Sequence, residues 1–98
     1  MKTLVLKNHR PINECYTDTI FNFRNIDLIE EVPTHEVSGK QKYRVTLYTV
    51  HKNYDLRNLS KCEADRIMQR VLDFSRYDTK GETLIITTDP DKLTIEET

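Results

Sequence analysis

The chain has no tryptophan, two glycines, three prolines and two cysteines, and no apolar run longer than three residues. Each shortage excludes something. The runs Leu4–Leu6 and Leu84–Ile86 fall far short of the roughly 20 apolar residues that a membrane-spanning helix needs. Lys7, Asn8, His9 and Arg10 end the first run too early for the apolar core of a signal peptide. A cytoplasmic protein without membrane contact is therefore expected. Gly39 and Gly81 stand alone, which removes the clustered glycines that let a backbone cradle phosphates or a dinucleotide. Cys15 and Cys62 are 47 residues apart with no CxxC pair, so two independent reduced thiols are expected in a reducing compartment.

Catalytic and metal-binding patterns are equally sparse. Neither cysteine sits in a recognisable nucleophile motif beside His9, His35 or His51. Cys62 falls in the first turn of a helix, a position that can activate a thiol, but a partly buried structural cysteine is the expectation. Structural zinc sites carry ligand pairs spaced two to four apart, and none is present. Glu30-Glu31 and the Asp89/Asp91 pair read as strand-end and turn chemistry rather than a cation site. No catalytic residue, metal ligand or cofactor is assigned, and the chain is not expected to be an enzyme.

What is present is the composition of a folded domain. Of 98 residues, 37% are hydrophobic and 32% charged, too apolar for a disordered tail and of a size for one domain over 1–98. The net charge of −1 conceals an uneven layout. Residues 1–39 carry net −2, residues 40–80 net +5 and residues 81–98 net −4. A basic middle beside an acidic end polarises the surface and steers charged partners, unless the two blocks neutralise each other in the fold.

Periodicity supplies the elements. Lys2–Lys7 is a short strand, and Pro11–Thr19 is polar and aperiodic, a loop. In Thr19–Val32, Phe21 and Phe23 share one parity while Ile26 and Leu28 take the other, which fits a strand with a β-bulge near Asn25. Pro33 is expected to close that strand, with Thr34–Gln41 a loop. Tyr43, Val45 and Leu47 alternate with Arg44 and Thr46, giving one apolar and one wet face. A turn at His51-Lys52-Asn53 returns the chain through Tyr54–Leu56. Ser60-Lys61-Cys62-Glu63 matches a capping box, followed by Ala64, Ile67, Met68, Val71 and Phe74 on one helical stripe, with Leu72 widening it. The helix should span about 61–76. Leu84–Thr88, a type I turn at Asp89-Pro90-Asp91-Lys92, and Leu93/Ile95 complete the chain. The fold class is α+β: a small antiparallel sheet of four to six strands with one amphipathic helix packed on one face.

Tyr43-x-Val45-x-Leu47, Tyr54-x-Leu56, Ser60 and Glu63-Ala64 give residues 19–77 a pattern that resembles many small bacterial and phage proteins, in which a hairpin leads into one amphipathic helix. That resemblance implies no functional residue. Three functions remain. The leading expectation is a non-enzymatic protein–protein interaction module, such as a small phage or bacterial inhibitor or adaptor with a polarised surface. Its partner-binding candidates are Arg66 and Arg70 on the outer helix face, or Asp89, Asp91, Glu96 and Glu97 as an acidic surface. The second is a nucleic-acid-binding accessory protein using the basic 40–80 segment, with Arg44 and Tyr48 on the open sheet face to meet phosphate and base. The third is a small enzyme or ligand-binding domain whose site is assembled from scattered residues.

Overall fold

The computed structural model describes residues 2–8, 17–76, 81–89 and 91–98. Seven strands and one helix follow in the order β1 (Thr3–Asn8), β2 (Thr17–Asn22), a 3-10 turn at Phe23–Asn25, β3 (Ile26–Val37), β4 (Lys40–Thr49), β5 (Asn53–Leu59), α1 (Lys61–Arg76), β6 (Thr83–Thr88) and β7 (Leu93–Glu97). The class is α+β, as the periodicity indicates, and the helix occupies the span that its capping box and apolar stripe define. The sheet arrangement differs from the expectation of one antiparallel sheet. There are two sheets, β2-β1-β6-β7 and β3-β4-β5, and β1 runs parallel to β6. A period-2 pattern records which side chains face inward and says nothing about the direction of a neighbouring strand, so neither feature is visible in the alternation.

The core lies between the two sheets and α1. Leu4 and Leu6 of β1 pair in register with Leu84 and Ile86 of β6, and all four are buried. Val45 and Leu47 of β4 and Leu56 and Leu59 of β5 supply the second sheet's inner face, and Ala64, Ile67, Val71 and Phe74 supply the helix stripe. Aromatic contacts join the layers. Phe21 of β2 stacks on Tyr54 of β5 with centroids 5.0 Å apart, and Phe23 meets Phe74 edge-on at 5.3 Å. Lys2 donates to the Phe74 carbonyl and lies over its ring, placing a cation near the negative end of the helix.

Irregularities in the strands explain where the simple reading fails. The parity change after Phe23 is a 3-10 turn that carries the chain from one sheet into the other, followed by a register shift between Ile26 and Leu28. Pro33 does not close β3. An edge strand tolerates a missing backbone donor, and β3 continues to Val37, turning into β4 through Ser38 (φ 53°) and Gly39 (φ 79°). Two successive positive φ values mark a type I′ hairpin turn, whose twist matches that of the flanking strands. In β5, Leu56 pairs with Val45 and Leu59 with Tyr43, so one extra residue is accommodated opposite Arg44, where Asn58 takes φ 57°. That bulge brings Leu56 and Leu59, three residues apart, onto the same buried face. The loop expected over Pro11–Thr19 lies mostly outside the described residues, as does Pro90 of the expected turn; Asp89 and Lys92 exchange backbone hydrogen bonds across it. Thr46, expected on a wet face, is buried at 3% exposure, covered by its own hydrogen-bonding neighbours. Cys62, expected to be partly buried, is free and exposed, because it points away from the Ala64–Ile67 stripe.

The capping box forms in both directions: the Glu63 amide donates to Ser60 Oγ at 3.1 Å, and the Ser60 amide donates to Glu63 Oε1 at 3.0 Å. Ser60→Ala should therefore lower stability by ~1 kcal/mol, and Ile67→Ala by ~2–5 kcal/mol. Denaturant melts leaving both variants at the parent midpoint would contradict this packing. Gly81 is a second sensitive position, since a Cβ there would lie 2.6 Å from Glu97 Cγ and 2.9 Å from the Thr98 carbonyl oxygen. Gly81→Ala should destabilise by ~1–3 kcal/mol in the same assay, whereas a midpoint at the parent value would show that the β7 end can move aside.

Candidate functional site

An amphipathic helix on a small sheet has more apolar surface than one sheet face can cover, and α1 shows where the excess goes. Its fully buried residues point at the core. Asp65, Met68, Gln69, Leu72 and Ser75, at i, i+3, i+4, i+7 and i+10, run down an adjoining side. Across from them lie Phe23 and the four consecutive residues Ile26, Asp27, Leu28 and Ile29, and a groove of about 620 Å³ separates the two sides. Consecutive residues of a strand point to opposite sheet faces, so a wall made of four in a row is the strand's backbone edge. β3 is the terminal strand of its sheet, and among the described residues no strand pairs with that edge. The register shift leaves Asp27 without a partner on β4, which bends the edge and increases its twist at the groove.

The groove is apolar and its charge has one sign. Leu28 is 52% exposed and Leu72 40%, a large apolar outlay for a small domain. No Lys or Arg lines it, and its two charged residues are Asp27 and Asp65. One end is closed by a clamp between helix and strand: Lys61 donates to Glu31 of β3 and lies 3.1 Å from Asp65. The Lys61 ammonium also sits 5.2 Å from the centroid of the Tyr43 ring. The hydrogen bond to Glu31, followed by that to Asp65, raises the Lys61 pKa above the ordinary lysine range. Asp65 is held below the usual carboxylate range, first by its hydrogen bond with the Glu31 carboxyl and then by Lys61. Lys61 and Asp65 are exposed while the Glu31 side chain is largely covered, so solvent screens the Lys61–Asp65 pair most.

The structure distributes the sequence-derived candidates over three regions. Arg44 and Tyr48 do share the outer face of the β3-β4-β5 sheet, but both are engaged. Arg44 Nε donates to Thr46 Oγ1 at 3.0 Å, and Tyr48 is hydrogen-bonded to Glu30, which together with burial raises its pKa above the usual 10.0. Arg66 and Arg70 lie on the helix, with Arg66 exposed and Arg70 3.7 Å from Glu97. The acidic residues do not form one surface. Asp89 and Asp91 flank the β6–β7 turn, while Glu96 and Glu97 stand at the far end of β7, opposite Ile85 and Leu84. Arg70 and Glu97 join the basic segment to the acidic end at one point. His9 and Cys15 lie outside the described residues, and among those described no three His, Cys, Asp or Glu side chains gather as a metal-holding group. No helix is long and apolar enough to cross a membrane.

Sequence reasoning missed the groove itself. Its traces were Leu28, which shares the parity of Ile26 yet is exposed, and Leu72, at the border of the helical stripe. Each reads singly as an ordinary surface hydrophobe, and only the fold brings them to one cleft. No protein-family model, no curated protein and no solved structure matches this chain.

The Tyr48–Glu30 bond gives a direct check on the outer sheet face. A raised pKa favours the neutral phenol in the folded state, so this contribution to stability is present below pH ~10 and lost as the pH climbs through the folded value. Glu30→Gln should bring the Tyr48 titration down towards 10, read as the 295 nm difference between this variant and its Tyr48→Phe partner. A titration that did not move would mean that Glu30 is not the group holding it.

Proposed function

We propose that the protein is a non-enzymatic protein–protein interaction module, a cytoplasmic inhibitor or adaptor, which takes an extended segment of its partner into the groove between β3 and α1. The supporting observation is the juxtaposition, among the described residues, of an unpaired strand edge with a helix side on which half-buried Met68 and exposed Leu72 face the groove. A partner strand adding to β3 satisfies main-chain donors and acceptors along the edge, and its alternate side chains enter the groove towards Met68 and Leu72. The dimensions agree. Asp65 to Ser75 spans about 15 Å of helix axis at ~1.5 Å per residue, the length of a strand of four to five residues at ~3.3 Å each. Asp27, a lining carboxylate on the strand edge, favours a segment that carries Lys or Arg beside its apolar residues.

The nucleic-acid reading has less support. Lys61 and Arg70 of the basic segment are paired with Glu31 and Asp65, and with Glu97, which interrupts a basic stripe of the kind that tracks a backbone.

The test is selection of peptides from a random display library on the immobilised protein. Alternating apolar sequences flanked by Lys or Arg should be enriched. Their binding should fall at least tenfold in Leu28→Asp and in Leu72→Glu, both at exposed positions that leave the fold intact. N-methylation at alternate peptide amides should have a similar effect. Selected peptides that bind both variants as well as the parent, or a library that yields none, would remove the groove as the docking site.

A further inference from the structure

On the opposite face of the same sheet from α1, a second and smaller cavity of about 330 Å³ is lined by Pro33, Thr34, His35, Arg44, Arg57 and Asn58. Two arginines and a histidine converge here with no carboxylate in the wall. The strand irregularities produce this convergence. In β3 the register shifts between Pro33 and Glu36, and in β5 an extra residue is inserted between Leu56 and Leu59. Both flank the stretch of β4 that carries Arg44, and bulges are a means of re-aiming side chains that a regular ladder would space apart.

The arginines are also held in place. Asp55 is at the centre, and its two carboxylate oxygens serve different arms. Oδ2 accepts from Arg57 Nη2 at 2.8 Å, while Oδ1 accepts from Thr46 Oγ1 at 2.9 Å. Thr46 Oγ1 in turn accepts from Arg44 Nε at 3.0 Å, and Thr46 is buried. One carboxylate therefore orients two guanidinium groups, Arg57 directly and Arg44 through a buried hydroxyl. Among the described residues Arg44 is bonded to that neutral hydroxyl and to no carboxylate, so its positive charge is unspent. Each arginine uses one N–H in this network and keeps the rest of its fork.

We infer that this cavity is an oxyanion-binding site, built for a phosphate monoester of small-molecule size. The planar forks of Arg44 and Arg57 match the oxygens of a phosphate bidentately, and His35 adds a third donor at the rim. A cavity of 330 Å³ has room for a phosphate and a few further atoms, since a water takes ~30 Å³ of liquid volume. The inference is independent of the groove, which lies against the opposite, helix-bearing face.

The experiment titrates inorganic phosphate and phosphoserine into the intact protein at constant ionic strength, following backbone amide shifts, with acetate as a monoanionic comparison. Both phosphates should shift amides of residues 33–35, 44 and 57–58, and acetate should bind at least tenfold more weakly. Arg44→Ala and Arg57→Ala should each weaken phosphate binding tenfold or more, while Arg66→Ala, at an exposed arginine outside the cavity, should not. Two further variants separate an oriented site from a merely basic patch. Asp55→Asn removes a negative charge, so a patch would bind more tightly; an oriented pair of forks binds at least tenfold more weakly. Arg44→Lys keeps the charge and loses the fork, so it should behave like Arg44→Ala even if Asp55→Asn fails to fold. Amide shifts spread over the whole basic surface, equal losses for Arg66→Ala and Arg44→Ala, or full retention in Arg44→Lys would each overturn the inference.

Discussion

Burial of one face of α1 is the constraint from which the rest of the architecture follows. Among the described residues α1 is the single α-helix, and its stripe of Ala64, Ile67, Val71 and Phe74 packs in the core that both sheets line. Neither sheet closes a core alone. Leu4, Leu6, Leu84 and Ile86 need a cover on the same side as Val45, Leu47, Leu56 and Leu59, and stacked layers of this size bury enough surface only when they share it. The helix must start where β5 ends and finish where β6 can pair with β1. The Ser60–Glu63 box fixes the first of these points, and the Lys2 contact with Phe74 anchors the second.

That shared core also accounts for the polar contacts between layers. Thr88 is fully buried in β6 and donates to Asn8 Oδ1 at 2.9 Å, while Asn8 Nδ2 donates to the Asp55 carbonyl at 3.1 Å. A buried hydroxyl in one sheet is thereby satisfied through a side chain that also grips the other. Asp55 is then fixed at its backbone by Asn8 and at its side chain by Thr46 and Arg57. Packing on the inner face and order on the outer face are parts of the same arrangement, and the groove is what remains uncovered when a helix of this width meets an edge strand.

How much of this was legible beforehand depended on whether the signal was local. The helix was readable to its ends because capping and stripe are both written within one segment, and the Tyr43–Leu47 alternation located β4 for the same reason. Pairing partners were not readable. The β1–β6 contact joins the first and the penultimate strands, and neither its parallel sense nor the division into two sheets leaves a trace in a period-2 pattern. Pro33 misled because a proline reads as a strand end unless the strand is known to be an edge. Bulges were half visible: the parity change near Asn25 was plain, whereas the extra residue between Leu56 and Leu59 shows only in the pairing with β4. The candidate residues fared in the same way. Arg44 and Tyr48 were placed on one face correctly, but their partners Thr46, Asp55 and Glu30 come from across the sheet. The groove required Leu28 and Leu72, 44 positions apart in the sequence, to be brought together by the fold.

The central claim is that β3 presents a strand edge that a partner completes, and amide hydrogen exchange along that edge tests it most directly. In the free protein the groove-side amides of Ile26–Ile29 should exchange rapidly compared with those of β4, which is paired on both sides. With a library-selected peptide bound at saturation, alternate amides of this stretch should slow by at least tenfold, with little change in β2 or β7. Edge amides that stay fast under saturation, or protection that appears on β2 or β7 instead, would contradict strand addition at the groove.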